Sequence, residues 1–180
     1  MIGKILGGIV ALIAILIVLG FVLPDKVHVE RETVIAAPQE EVFALISDFG
    51  AWDAWSPWAK IDPDAKYTLT GAGVGQKMAW QSDHPKVGNG SQEITELEAP
   101  SRLVTQLEFD GMGVAEATFK LSPAADGATK VVWSLDTAMR EGMAIHMQPM
   151  ATYMGFFMDD MVGKDYARGL ENLKKVAEGS

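Results

Sequence analysis

Residues 149–178, PMATYMGFFMDDMVGKDYARGLENLKKVAE, carry the longest helical pattern outside the apolar N-terminus, and their reading decides the fold. Met150, Met154, Phe157 and Met161, followed by Val162, Tyr166, Leu170 and Leu173, recur at helical spacing. Pro149 suits a first turn, and lysines stand near the end. One helix over 149–178 is the expectation. A face so rich in Met and Phe needs a concave apolar partner, and only the preceding residues can supply it.

Those residues read as strands. Tyr67 and Leu69 alternate with polar neighbours, a glycine turn covers 71–75, and Gln76, Met78 and Trp80 share one face of the next run. Gln92 and Ile94 follow, then Leu103, Thr105, Leu107 and Phe109. After these come Ala115, Ala117, Phe119 and Leu121, and finally Val131, Trp133, Leu135 and Thr137. Short turns at Asp110–Gly111 and Asp126–Gly127 predict an antiparallel meander with one covered face. The glycines at 71–75 do not form a phosphate loop, since no helix pattern, Lys-Ser/Thr pair or downstream acid accompanies them.

Towards the N-terminus, Val27 to Ile35 mixes β-branched and charged residues as an edge strand does. Pro38, Gln39, Glu40 and Glu41 open a short helix carrying Val42, Phe43, Leu45 and Ile46, with its acids at the positive end. DFGAWDAWSPW, residues 48–58, places three tryptophans in seven residues. The cluster is read first as a cap burying its rings at the end of a sheet, and second as the aromatic mouth of a cavity.

Ile5 to Leu23 is nineteen residues without a charge, enough at about 1.5 Å per residue to cross roughly 30 Å of hydrocarbon. A cleaved signal has a shorter apolar core and a small-x-small cleavage site, whereas here the run ends in Phe21-Val22-Leu23-Pro24-Asp25. The expectation is a retained anchor over residues 1–25 and one folded domain over 26–180. Lys4 favours an inside N-terminus and a domain outside the cytoplasm, against the cations Lys26 and Arg31 on the other flank.

A net charge of −9 and a pI near 4.7 argue against nucleic acid or an anionic surface as partner of the folded part. The absence of cysteine excludes disulfides, thiolate nucleophiles and Cys-based metal sites. His28, His84 and His146 are scattered, with no metal-ligand spacing, so neither metal nor cofactor is expected. No GxSxG nucleophile motif occurs.

Several words of this sequence, in this order, carry a family resemblance: AAPQEEVFALISDF (36–49), WSPW (55–58), GVGQKMAW (73–80), GSQEITELEAP (90–100), VVWSL (131–135) and MGFFMDDMVGKDYARGLENLK (154–174). From about Val27 to Val176 the chain resembles the SRPBCC or START-like superfamily, in particular its bacterial polyketide cyclase/dehydrase and lipid-transport-like branch. The resemblance implies an α+β helix-grip fold, a curved antiparallel sheet wrapped around the C-terminal helix and enclosing a hydrophobic cavity. Members include lipid carriers, receptors, cyclases and co-chaperones, so function must be argued residue by residue.

By alternation, Trp80, Gln92, Ile94, Thr105, Leu107, Ala117, Phe119, Trp133, Leu135 and Thr137 face the helix, which presents Met150, Met154 and Phe157 in return. Of these, Trp80, Gln92, Thr105, Leu107, Ala117, Phe119, Trp133, Met150, Met154 and Phe157 are the candidate ligand-binding residues, suited to a sterol-like, acyl or aromatic molecule. His146, on a loop closing over the cavity, and Tyr153, on the helix, are the candidates for moving a proton. Three functions fit: membrane-anchored binding of a hydrophobic small molecule or lipid without catalysis, a cyclase or dehydratase, and an interaction module with a filled core. Asp159, Asp160, Lys164 and Asp165 read as a solvated helical face.

Overall fold

A computed structural model describes residues 2–110 and 113–179. It has an apolar helix α1 (Ile2–Val22), strand β1 (Lys26–Ile35), helix α2 (Gln39–Ile46), a 3-10 turn (Phe49–Ala54) and the short helix α3 (Pro57–Ile61). Six strands follow: β2 (Lys66–Thr70), β3 (Lys77–Gln81), β4 (Gly90–Glu98), β5 (Arg102–Phe109), β6 (Gly113–Pro123) and β7 (Thr129–Ala138). Helices α4 (Gln148–Gly155) and α5 (Met158–Ala177) complete the chain.

The seven strands form one antiparallel sheet in the order β1-β7-β6-β5-β4-β3-β2, so the meander from β2 to β7 is as expected and β1 is added beside β7. Its register runs from Lys26 opposite Ala138 to Ile35 opposite Thr129. The Asp126–Gly127 turn forms with both residues at positive φ, 58° and 75°. The expected turn at Asp110–Gly111 reaches beyond the described residues. A register shift between Ile94 and Glu96 adds local bending to β4, and α5 lies along β1 within the curve.

The expected single helix over 149–178 is two. Phe156 and Phe157 break it, their N–H groups donating to Tyr153 O (3.3 Å) and Met154 O (3.0 Å) in a tightened turn. Gly155 stands where the bend meets β1; a Cβ there would come within 3.0 Å of Val27 Cγ2 and 3.1 Å of Met139 Cγ. The bend turns α4 onto α1, while α5 packs Tyr166, Leu170 and Leu173 into the core inside the sheet. Residues 150–161 were expected to face a cavity inside the sheet, yet Met150, Met154, Phe157 and Met161 are all exposed.

Helix α1 is one helix long and apolar enough to cross a membrane, by length and composition. Its end is tied to the domain. Arg140 donates to the carbonyls of Phe21 (2.7 Å), Gly20 (3.3 Å) and Leu23 (3.3 Å) and pairs with Asp25 at 3.0 Å. These are the carbonyls a helix leaves unbonded at its C-terminus, and a cation is favoured there.

Candidate functional site

The inner face of the sheet is filled at its middle by stacked rings. Phe119 on β6 and Trp133 on β7 are neighbours in register and lie 4.7 Å apart, 19° from parallel. Tyr166 of α5 stacks on the other side of Trp133 at 3.7 Å and 11°. Trp52, Trp55 and Trp58 meet Trp133 edge-on at 6.4, 5.7 and 6.0 Å. The indole N–H groups of Trp52 and Trp55 donate to the carbonyls of Ile46 and Leu45, both at 2.9 Å, which lets these rings be buried without stranding a donor. Gly169 completes the packing, since a Cβ there would lie 2.8 Å from the Trp133 ring.

The expected cavity between Phe119, Trp133 and the helix is therefore occupied by protein. The tryptophan cluster of residues 48–58 acts as the cap of the sheet, as its first reading has it. Trp80, Gln92, Thr105, Leu107 and Ala117 are buried on the inner face, with Trp80 edge-on to Phe109 at 6.0 Å, and Thr137 is half-buried. Thr105 Oγ1 and Trp133 Nε1 are buried and have no hydrogen-bond partner among the described residues.

Met150, Met154 and Phe157 lie away from this face, on the exposed surface of α4 and the bend. His146 is exposed on the segment before α4, and the Tyr153 hydroxyl donates to Leu16 O of α1 at 2.7 Å. Neither proton-transfer candidate is buried with the inner-face residues. Among the described residues no three His, Asp or Glu side chains are grouped to hold a metal ion.

A cleft of about 210 Å³ does open between the tryptophan-bearing turn and the β2–β3 edge. Phe49, Trp52, Leu69 and Met78 form its apolar walls, and Asp53, Ser56 and Tyr67 bring polar groups to it. The wall from the turn is braced. Asp48 caps the 3-10 turn by accepting from Gly50 N (2.8 Å) and also accepts from Gln76 Nε2 (2.7 Å), while Gln76 Oε1 accepts from Phe49 N (3.1 Å). Those bonds hold the Asp48 carboxyl below its usual range, the bond from Gln76 most strongly. At the far end of α3, Ser82 Oγ donates to Asp62 Oδ2, tying that end to the residue that follows β3. Burial, reinforced by the negative charges of Asp53 and Asp62, pushes the Tyr67 phenol above its ordinary pKa, so it remains a hydrogen-bond donor.

Trp52 belongs to the cluster that the sequence offers as an aromatic mouth, whereas Phe49, Asp53, Tyr67, Leu69 and Met78 are not among the expected site residues. The available signal was the parity of Tyr67 and Leu69: two large side chains on one face of an edge strand whose neighbours are polar.

A sequence model of the family described as polyketide cyclase / dehydrase and lipid transport matches residues 26–178. No curated protein matches. Among solved structures, truncated norcoclaurine synthase from Thalictrum flavum is similar with a TM-score of 0.62 and 12% identity, covering 84% of this chain and 92% of that one. A START superfamily protein from Mycobacterium smegmatis gives 0.60 and 16%, covering 84% and 97%. The Aha1 dimer from Colwellia psychrerythraea gives 0.56 and 17%, covering 84% and 96%. At these identities the likeness is one of fold.

Proposed function

Because the chain belongs to the polyketide cyclase / dehydrase and lipid-transport family, we propose that it binds a hydrophobic small molecule or lipid segment, held beside a bilayer by α1. The observation that carries this reading is the braced, mostly apolar cleft between Trp52 and the β2–β3 edge. Pockets for drug-sized molecules run to about 300–1,000 Å³. The cleft's roughly 210 Å³ accommodates a single ring or a short acyl segment and is too small for a sterol. The Tyr67 hydroxyl donates to an oxygen of the ligand, and Leu69, Met78 and the rings of Phe49 and Trp52 hold its apolar part.

Residues 1–25 act as a retained anchor in this reading, and 26–180 as the binding domain. Support comes from the Arg140 and Tyr153 bonds to α1, which cleavage of that helix would leave unmade. We propose the outer side of the membrane for the domain, on the strength of Lys4 and against the cations Lys26 and Arg31 on the other flank. Binding needs no catalytic group.

Native mass spectrometry of the full chain in detergent, followed by titration with a brominated decanoic acid, tests the reading. One decanoate per chain is expected, with quenching of tryptophan fluorescence that is lost in Leu69→Asp and weakened in Tyr67→Phe. Absence of quenching, or equal quenching in Leu69→Asp, overturns it.

A further inference from the structure

We propose that the α4–α5 bend is a second membrane-contacting element, an apolar foot that inserts into the headgroup–acyl boundary of the leaflet from which α1 emerges. The proposal rests on the reading of α1 as a membrane span. Met147, Met150, Met154, Phe157 and Met161 follow one another at steps of three and four residues, a single helical stripe that persists across the bend. All are exposed, Met150 by 61%, Phe157 by 62% and Met161 by 59%, and Ile145 and Phe156 add to them at 73% and 62%. The other side of α4 is covered, with Pro149, Ala151 and Thr152 buried. An apolar stripe of this size facing water needs an occupant.

The packing of α4 on α1 identifies that occupant. Pro149 sits so close to Gly20 that a Cβ on the glycine would come within 2.6 Å of it. The Tyr153 hydroxyl reaches Leu16 O, which at 1.5 Å per residue lies about 9 Å before the helix end at Val22. A bilayer surrounding α1 therefore surrounds the level at which α4 lies against it. The composition agrees: no Asp, Glu, Lys or Arg occurs between Glu141 and Asp159, whereas Asp159, Asp160 and Lys164 follow directly where α5 climbs into the domain. Part of the backbone at the bend is paired internally, with Phe156 N and Phe157 N bonded as above and Met161 N donating to Phe157 O at 3.1 Å, which lowers the cost of approaching hydrocarbon. The exposed methionines suit a layer of disordered chains, being flexible and polarizable. The foot gives the domain a second point of contact with the membrane, beside the docked α1.

The chain has no cysteine, so single introduced cysteines report cleanly. Met154→Cys, Phe157→Cys, Lys164→Cys and, within α1, Leu12→Cys are each labelled with a nitrobenzoxadiazole fluorophore in the full chain. Each is reconstituted in phosphatidylcholine vesicles with and without brominated acyl chains. At positions 154 and 157 the expected result is a blue-shifted emission, quenching by bromolipid and loss of quenching by aqueous iodide. Position 164 responds to iodide and position 12 to bromolipid. If 154 and 157 behave like 164 while 12 is quenched by bromolipid, the foot is refuted and the anchor stands. If 12 is also reached by iodide and not by bromolipid, both fall. Protection of 154 and 157 from iodide without bromolipid quenching refutes the proposal in favour of a protein cover.

Discussion

Trp133 and Tyr166 lie face to face with ring centroids 3.7 Å apart and planes 11° from parallel, and this pair closes the middle of the sheet. Both are fully buried, and burial drives the Tyr166 phenol far above its ordinary pKa, keeping it neutral. Removing the ring opens a void between Trp58 and Trp133 that these rigid rings cannot close. Tyr166→Ala is expected to cost about 3–5 kcal/mol, the range for large aromatic truncations in a core. Tyr166→Phe keeps the stack and is expected to cost about 1 kcal/mol. Urea unfolding of the full chain in detergent, followed by tryptophan fluorescence, measures both; equal effects would show that the hydroxyl rather than the ring matters.

Gln76 joins the two walls of the cleft. Its amide donates to Asp48 Oδ1 and accepts from Phe49 N, and its backbone O accepts from Ile94 N at 2.9 Å. Gln76→Leu retains the size of the side chain but leaves a buried backbone N–H at Phe49 unpaired, with an expected cost of about 1–3 kcal/mol. The decanoate affinity of this variant is expected to fall as well, because Phe49 and the Asp48-capped turn are released together. A variant that loses stability with no change in binding would separate the brace from the site.

Much of the fold was legible because it rests on period alone. Strand β3 buries alternate residues, Met78 and Trp80, and β5, β6 and β7 do so apart from Val104, Thr118 and Ser134, which are buried on the other face; that alternation is visible in a sequence. The break at Phe156–Phe157 was not, because its stripe of Met and Phe keeps helical spacing straight through the bend; the partners that α4 and the bend meet, Gly20 against Pro149 and Val27 against Gly155, are long-range contacts that spacing does not show. The candidate site was missed for a related reason. Phe119 and Trp133 were assigned to a cavity wall by parity, which says which face a residue is on and nothing about whether Tyr166 and Trp55 fill the space before it. Tyr67 and Leu69 border a cleft only because the turn at Phe49–Ala54 folds back over the β2 edge.

His28 on β1 faces its register partner Asp136 on β7, with Nδ1 and Oδ1 2.8 Å apart, and Glu30 lies 3.7 Å from Nε2. The hydrogen bond to Asp136, with the charges of Asp136 and Glu30, raises the histidine pKa from 6.5 against a smaller opposing effect of burial. A raised folded-state pKa contributes stability that is complete below 6.5 and lost as pH rises through the folded value. Because the groups are more than half exposed, the effect is small. Thermal midpoints are expected to decline slightly across that window for the parent chain and to stay flat there in His28→Gln. A decline unchanged in the variant would assign it to other groups.

The docking of α1 on the domain depends on a residue without a side chain. Gly20 is the buried position of α1, and a Cβ there would meet Pro149 Cβ at 2.6 Å and its Cα at 2.7 Å, distances that only backbone movement can relieve. Gly20→Leu is therefore expected to leave α1 helical and apolar but to push α4 away, breaking the Tyr153 bond to Leu16 O. In hydrogen–deuterium exchange of the full chain in vesicles, amides of residues 148–155 are expected to exchange faster in this variant, while those of β5 and β6 stay unchanged. Acid supplies a second handle on the same contact. Burial raises the Asp25 carboxyl, but the bond and charge of Arg140 outweigh it and hold the pKa below 3.8. A depressed carboxylate gives stability present above 3.8 and lost as pH falls through the folded value, so the contact is expected to loosen only in stronger acid. Asp25→Asn is expected to weaken docking at neutral pH and to remove that acid response. Exchange in residues 148–155 that is the same in parent, Gly20→Leu and Asp25→Asn would mean that α4 is held by the sheet and not by α1.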